Sequence, residues 1–197
     1  MEFLICSNNL HKLTEIKRIL LDLGVKAYSP KELGIELGEI DETGTTFAEN
    51  AEIKALAGLE KANLASIADD SGLCVDALDG RPGVYTARYG GEGLTDEERY
   101  TKLLEEMADV ADENRTARFV SAICVTFSNG DKIVAEGYCE GKIGTAPSGE
   151  NGFGYDPVFY VGEKSFAELS DKEKDALSHR GKALEIMKQK LSEYLSK

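Results

Sequence analysis

A strand pattern near the middle of the chain most constrains the fold. A period of two, which is typical of a strand, relates Phe119, Ser121, Ile123, Val125 and Phe127 and predicts one long strand. The tetrapeptide SNGD at 128–131 has the composition of a tight turn, and a second apolar run follows at 133–139. Residues 117–140 are therefore predicted to form a β-hairpin within a sheet.

Strands and helices alternate before this hairpin, and helices follow it. Residues 3–6 form a short apolar run that predicts a buried strand. From Leu13 the apolar residues recur on one helical face as far as Gly24, a residue suited to end a helix. Further helices are predicted over Thr46–Lys61 and after the capping boxes Thr95–Glu98 and Ser170–Glu173. This pattern predicts an α/β fold of three layers around a mixed sheet.

The composition is that of an acidic globular protein. Its 197 residues suit one large domain, undivided or in two lobes, and the net charge is −13. That charge argues against non-specific binding to nucleic acid, although a small polyanion could bind beside local lysines and a divalent cation. Neither a run of about 18 apolar residues nor a signal peptide is recognisable, so a cytoplasmic protein is expected.

The cysteines argue against a zinc site. None of the four forms a CxxC pair, the spacing that most zinc sites use. Cys6 and Cys124 lie in apolar runs that resemble strands, so both are predicted to be buried, reduced thiols.

Two polar segments in the first third of the chain could bind an anion. The sequence SNNLHK at 7–12 lies between a predicted strand and a predicted helix, where free backbone amides favour negative charge, although an ordinary helix cap is the alternative. On the next predicted helix, Phe47, Asn50 and Lys54 share one face by their spacing. Lys54 could therefore face a site, or could extend its ammonium group into water.

Three further segments carry candidate chemistry. Asp69 and Asp70 follow a short apolar run, and their carboxylates suit Mg²⁺, although a solvated Asp-Ser-Gly turn is the alternative. The glycine-rich segment 148–157 carries two aromatic rings that could stack on a base or could belong to the core. The basic segment 174–183 could contact a ligand or could form an ordinary helix end.

Taken in order, these segments resemble the motifs of the inosine/xanthosine triphosphate pyrophosphatases, which remove deaminated purine nucleotides. The matching stretches lie between residue 3 and about residue 190, and they are SNNLHKLTE, ETGTTFAENAEIKA, ADDSGLCVDALDGRPGVYTARY, GFGYDPVF and SHRGKAL. Asn8 departs from the family pattern, because many members carry glycine at that position. The resemblance implies an elongated mixed sheet with a cleft between two lobes, Mg²⁺ as cofactor, and a homodimer.

The resemblance also implies a role for each motif residue. Water would attack the α-phosphorus of dITP, ITP or XTP and release the monophosphate and pyrophosphate, with Asp70 as the proton acceptor. Glu42 and Asp70 would bind Mg²⁺, supported by Glu15 and Asp69. The substrate-binding residues so implied are Ser7, Asn8, Asn9, Leu10, His11, Lys12, Lys54, Ser71, Phe153, Gly154, Tyr155, Asp156, Lys174, His179 and Arg180.

Two alternatives to this function remain. One is a Maf-like pyrophosphatase that acts on other modified nucleotides, and the other is a nucleotide-binding module without catalysis. Asp76 and Asp79, which follow the Asp69–Asp70 pair, are expected to be turn and surface carboxylates.

Overall fold

The computed structural model describes the backbone of all 197 residues and the side chains of all except His11, Asp171 and Asp175. Across this backbone the strands are β1 Glu2–Ile5, β2 Lys26–Tyr28, β3 Ala65–Val75, β4 Thr116–Thr126, β5 Lys132–Ile143, β6 Phe159–Val161 and β7 Lys164–Ser165. The α-helices are α1 Leu10–Asp22, α2 Pro30–Leu33, α3 Phe47–Ala62, α4 Asp96–Glu106, α5 Asp171–Leu177 and α6 His179–Leu195. Within the described residues, none of these helices has both the length and the apolar character that a membrane span requires.

The strands form a mixed sheet in the order β2–β1–β3–β4–β5–β6–β7. Strand β1 pairs in parallel with β2 and with β3, because α1 and then α2 and α3 lie between these strands in the chain. Strand β6 pairs in antiparallel fashion with β5 and with β7. The predicted α/β fold with a mixed sheet is therefore confirmed.

Contacts between residues divide the chain into two units. The first unit comprises Met1–Asp70, Ser121–Gly137 and Arg180–Lys197, and the second comprises Ser71–Val120 and Tyr138–His179. The expectation of one nucleotide-hydrolysing domain in two lobes stays a prediction.

Each unit has an apolar core of its own. In the first unit, Ile5 and Ile67 from the strands pack with Leu20 of α1 and Met187 of α6. In the second unit the core is rich in aromatic rings, and it includes Phe119, Phe159, Phe166, Tyr89 and Tyr155. Burial of this apolar surface stabilises each unit by roughly 25 cal/mol per Å² removed from water.

Most of the predicted helix starts are confirmed. Thr46 caps α3, Thr95 caps α4 and Ser170 caps α5, each through a capping box with the glutamate three positions later. The predicted hairpin is also present, since β4 and β5 are neighbours in the sheet, joined by a turn in which Phe127 N–H donates to the carbonyl of Asp131. Such local hydrogen bonds can be predicted from sequence because the partners lie within a few residues of each other.

Two helix boundaries differ from the prediction. Helix α1 begins at Leu10 rather than Leu13, because the Asn9 side chain accepts a hydrogen bond from Lys12 N–H at 3.2 Å and caps the first turn. The helical region predicted after Ser170 is divided in two, because α5 ends at Leu177 and Ser178 is extended (φ −64°, ψ 146°) before α6 begins.

The Asp-Ser-Gly turn considered for residues 70–72 is wrong. Strand β3 runs through this segment without a break, and both Asp69 and Asp70 are buried. Asp76 and Asp79 beyond the strand are exposed, as predicted, and Asp79 takes the left-handed conformation (φ 53°) that aspartate tolerates.

The prediction for the cysteines is confirmed. Cys6 and Cys124 are buried, and neither takes part in a disulfide. Burial raises the pKa of each thiol to about 12, so both remain protonated at neutral pH.

Candidate active site

The segment 7–12 forms the junction between β1 and α1 in the first unit. Ser7 Oγ accepts a hydrogen bond from Asn9 N–H at 3.1 Å, which shapes the turn into the helix. Asn8, Asn9 and Leu10 are exposed, and the first turn of α1 carries no acidic residue. This helix N-terminus is therefore available to an anion. The side chain of His11 lies outside the described residues, so its predicted contact stays a prediction.

Asp69 is the centre of a buried charged cluster in the first unit. Its Oδ1 is ion-paired with Lys12 Nζ, and its Oδ2 lies 3.5 Å from Arg180 Nε and accepts a hydrogen bond from Ser121 Oγ at 2.7 Å. Arg180 Nη1 also lies 3.4 Å from Glu15 Oε2. Burial by itself would raise the pKa of Asp69, but the two neighbouring cations lower it below its usual range. Asp69 is therefore a carboxylate at every physiological pH.

Asp70 belongs to a second cluster, which α3 and the preceding loop complete. Lys54 Nζ lies 2.7 Å from Asp70 Oδ1 and 3.4 Å from Glu42 Oε1. Burial raises the pKa of Asp70, and Lys54 only partly offsets that rise. Burial would lower the pKa of Lys54, but the carboxylates of Asp70 and Glu42 raise it, so the ammonium stays charged. The first unit thus brings together the two predicted metal ligands and one predicted substrate-binding lysine.

The donor set of this cluster fits Mg²⁺. Among the described side chains no group of three or more histidine, cysteine, aspartate and glutamate residues is arranged to hold a metal ion. Mg²⁺ commonly uses only one or two protein carboxylates and keeps its remaining ligands as water or phosphate oxygen. Asp70 Oδ2 is buried and has no hydrogen-bond partner among the described residues, so one carboxylate oxygen remains available for a cation.

The loop 152–156 carries a lysine–aromatic cluster in the second unit. Asp156 Oδ2 accepts a hydrogen bond from Phe153 N–H at 2.8 Å and lies 2.5 Å from Lys174 Nζ. The same ammonium lies 4.9 Å from the centre of the Phe153 ring, which is half exposed. Gly154 N–H donates to Asp96 Oδ2 at 2.7 Å. These bonds hold the loop so that one aromatic face and one cation are presented together.

The other predicted residues of the second unit lie in different surroundings. Tyr155 is buried in the apolar core, and its hydroxyl donates to the carbonyl of Thr86 at 3.0 Å. Of the two aromatic rings in the loop, only Phe153 is therefore exposed. His179 is largely buried, and its ring stacks on Phe119 at a centroid distance of 5.0 Å. Ser71, the next residue of β3 after Asp70, is partly exposed.

Ser121 and Asp96 were not predicted as parts of a site. Ser121 is a fully buried hydroxyl in β4, a strand that is buried continuously from Phe119 to Thr126, where an apolar residue would be expected. A serine at such a strand position was the one feature of the sequence that could have indicated a partner for Ser121, because a buried hydroxyl requires a hydrogen bond. Asp96 gave no comparable signal, because an acidic residue in the first turn of a helix needs no further explanation.

Comparison with known proteins identifies the family. The model of the Ham1 family matches residues 3–190. The chain belongs to the Ham1 family. Among its relatives in that family, the dITP/XTP pyrophosphatase of Clostridium perfringens is 46% identical, over 96% of this chain and 97% of the relative. The dITP/XTP pyrophosphatase of Haemophilus influenzae is also 46% identical, over 96% and 98% of the two chains.

Solved structures of Ham1 proteins share the fold. A HAM1 protein from Coxiella burnetii superposes with a TM-score of 0.91 at 42% identity, over 98% of this chain and 99% of that chain. The dITP/XTP pyrophosphatase of Mycobacterium abscessus superposes with a TM-score of 0.82 at 44% identity, over 95% and 98%. The likeness thus extends over nearly the whole of each chain.

Proposed function

We propose that this Ham1 protein is a nucleoside triphosphate pyrophosphatase that hydrolyses deaminated purine nucleotides, namely dITP, ITP and XTP. The observation that carries the proposal is the contact of Lys54 with both Asp70 and Glu42, two carboxylates that suit a divalent cation. The full-length relatives named dITP/XTP pyrophosphatase support the substrate class.

The reaction is a hydrolysis of the bond between the α-phosphorus and the oxygen that bridges to the β-phosphorus. Water attacks the α-phosphorus, its proton passes to the Asp70 carboxylate, and the bridging oxygen leaves with pyrophosphate. The raised pKa of Asp70 suits this role, because a base is more effective when its pKa approaches the working pH. The products are the nucleoside monophosphate and pyrophosphate.

Mg²⁺ is the cofactor that we propose, with Glu42 and Asp70 as its protein ligands. When bound, it supplies positive charge that offsets the triphosphate and the charge that develops in the transition state. The α1 N-terminus with Ser7, Lys12 and the neighbouring residues of 7–12 binds phosphate oxygens, and Lys54 adds a cation. Glu15 and Asp69 support this arrangement through Lys12 and Arg180. Arg180 and Ser71 are further substrate contacts in the proposal.

The base is assigned to residues of the second unit. The half-exposed ring of Phe153 stacks on the purine, and Gly154, Tyr155 and Asp156 hold the loop that carries this ring. Lys174 and His179 are the proposed side-chain donors. A donor that meets the 6-oxo group of hypoxanthine or xanthine would face the 6-amino group of adenine, and such a mismatch can reject a substrate by about 10⁴-fold.

A panel of nucleoside triphosphates with Mg²⁺ tests the function. We expect pyrophosphate as the first product and a much higher kcat/KM for ITP, dITP and XTP than for ATP. Orthophosphate as the first product would exclude attack at the α-phosphorus, and equal rates on ATP and ITP would exclude selection for deaminated purines. Preference for a modified pyrimidine would instead indicate a Maf-like activity.

The proposal includes a homodimer in the cytoplasm. The support for the homodimer is the resemblance to the inosine/xanthosine triphosphate pyrophosphatases. Light scattering on the purified chain measures the mass, and a monomer at micromolar concentration would contradict the dimer.

A further inference from the structure

The loop that carries Glu42 packs closely against the start of α3. A β-carbon added to Gly44 would lie 2.7 Å from Glu49 Cβ and 2.9 Å from Asn50 N, closer than such atoms approach in proteins. Only glycine fits at this point of the loop. The backbone of residue 44 is therefore held against the helix two positions after Glu42.

Asn50 provides the hydrogen bond at this contact. Its side chain is fully buried, and its Oδ1 accepts a hydrogen bond from Gly44 N–H at 2.8 Å. Its Nδ2 is also buried and has no hydrogen-bond partner among the described residues. A half-satisfied buried amide is costly, and an apolar residue would fill the same space without that cost. The asparagine therefore serves something other than packing.

Capping of α3 does not require Asn50. Thr46 Oγ1 accepts from Glu49 N–H at 3.2 Å, and the Glu49 carboxylate accepts from Thr45 N–H and Thr46 N–H. These bonds complete the capping box of the helix. The bond from Asn50 to Gly44 is additional, and what it fixes is the loop rather than the helix.

We propose that Asn50 is a positioning residue for Glu42. Its hydrogen bond holds the backbone of Gly44, and Gly44 lies two positions after Glu42 in the same loop. Asn50 lies one helical turn before Lys54 on α3, so the residue that fixes the loop and the lysine that contacts Glu42 project from the same side of the helix. The Glu42 side chain is 31% exposed, and without the bond to Gly44 its backbone would be free to move away from Lys54 and Asp70. This inference rests on the proposed function, in which Glu42 binds Mg²⁺.

The variant Asn50→Ala tests the inference with two readouts. Residues that orient metal ligands typically change metal affinity by about 10- to 100-fold when they are removed. We expect a rise of that size in the Mg²⁺ concentration that gives half-maximal ITP hydrolysis. We expect an equal loss of Mn²⁺ affinity, measured without turnover by electron paramagnetic resonance. Ser66→Ala is the matched control, because it removes the hydrogen bond of another fully buried residue in the same unit, and it should change neither value.

A double-mutant cycle with Glu42→Gln separates positioning from a general structural effect. If Asn50 acts through Glu42, then Asn50→Ala has little further effect on Mn²⁺ affinity in the Glu42→Gln background. An undiminished effect there, or an unchanged affinity in the single variant, would overturn the inference. Asn50→Leu also removes the acceptor for Gly44 N–H but fills the same buried space, and it replaces the alanine variant if that one does not fold. A wild-type protein that binds Mn²⁺ without releasing pyrophosphate would contradict the proposed function alone.

Discussion

Asp69 and Asp70 are consecutive residues of one strand, yet they form ion pairs with lysines from different helices. Asp69 is paired with Lys12 of α1, and its side chain is completely buried, whereas Asp70 is paired with Lys54 of α3 and its side chain is 11% exposed. Neighbouring side chains of a strand point to opposite faces, which is why one strand can supply two separate clusters. Removal of the two carboxylates is therefore expected to have different effects on catalysis and on the free energy of unfolding.

Replacement of Asp70 should abolish catalysis and preserve the fold. Asp70→Asn removes the proposed proton acceptor, and we expect kcat for ITP to fall by about 10²- to 10⁴-fold. Lys54 retains Glu42 as a partner, so the circular dichroism spectrum should remain that of the wild type. Asp79→Asn is the control, since Asp79 is exposed and asparagine also tolerates its left-handed backbone. A near-normal rate for Asp70→Asn would remove Asp70 from the catalytic role.

Replacement of Asp69 should act mainly on stability. Asp69→Asn leaves the buried guanidinium of Arg180 without its fully buried counter-charge, and loss of one partner of a buried pair costs about 3 kcal/mol or more. The urea midpoint should therefore fall well below that of Asp70→Asn. Equal midpoints for the two variants would show that the Asp69 cluster contributes no special stability.

Glu32 gives the protein a pH-dependent contribution to stability. The Lys17 ammonium and the backbone and hydroxyl of Ser29 lower the pKa of Glu32 from 4.5 to about 2. A lowered pKa in the folded state means that the contribution is present above pH 4.5 and is lost as the pH falls toward 2. Glu32→Gln keeps the capping box but not the charge, so its melting temperature should lie below that of the wild type at pH 7. The difference should close near pH 2, and a difference that is constant with pH would contradict the assignment.

The thiols should differ in reactivity according to burial. At pH 8 a disulfide reagent should leave Cys6, Cys124 and Cys139 unmodified in the folded protein, because all three are buried. Cys74 is partly exposed and should react slowly, since burial also raises its pKa. Denaturant should expose every cysteine, and Cys74→Ser should remove most of the reaction of the folded protein. Rapid modification of Cys6 before unfolding would contradict the buried strand.

Features that depend on neighbours in the chain were predictable from sequence. The capping boxes at Thr95 and Ser170 were correctly predicted, because a hydroxyl and a glutamate three residues later are sufficient to form them. The five motifs likewise contain the charged residues of the two clusters in the first unit, but not Ser121.

Features that depend on distant residues were not predictable in the same way. Asp69 and Asp70 resembled a turn because nothing near them in the sequence supplies their counter-charges. Those charges come from Lys12 and Lys54. Ion pairs with these distant lysines allow two aspartates to be buried in a strand. Tyr155 resembled a base-stacking residue, but packing against the second core decided its position. Strands β6 and β7 are too short for a period-two pattern to identify.

The position of Arg180 has a consequence for biosynthesis. Arg180 is the first residue of the last segment of the first unit. It contacts Asp69 and Glu15, which are added to the growing chain much earlier. Until Arg180 leaves the exit tunnel, Asp69 has only Lys12 as a cationic partner among the described contacts. Because α6 also supplies Met187 and Leu191 to the same core, the first unit cannot be complete until α6 has been synthesised. The charged cluster around Asp69 is thus completed only after the segment Arg180–Lys197 has been synthesised.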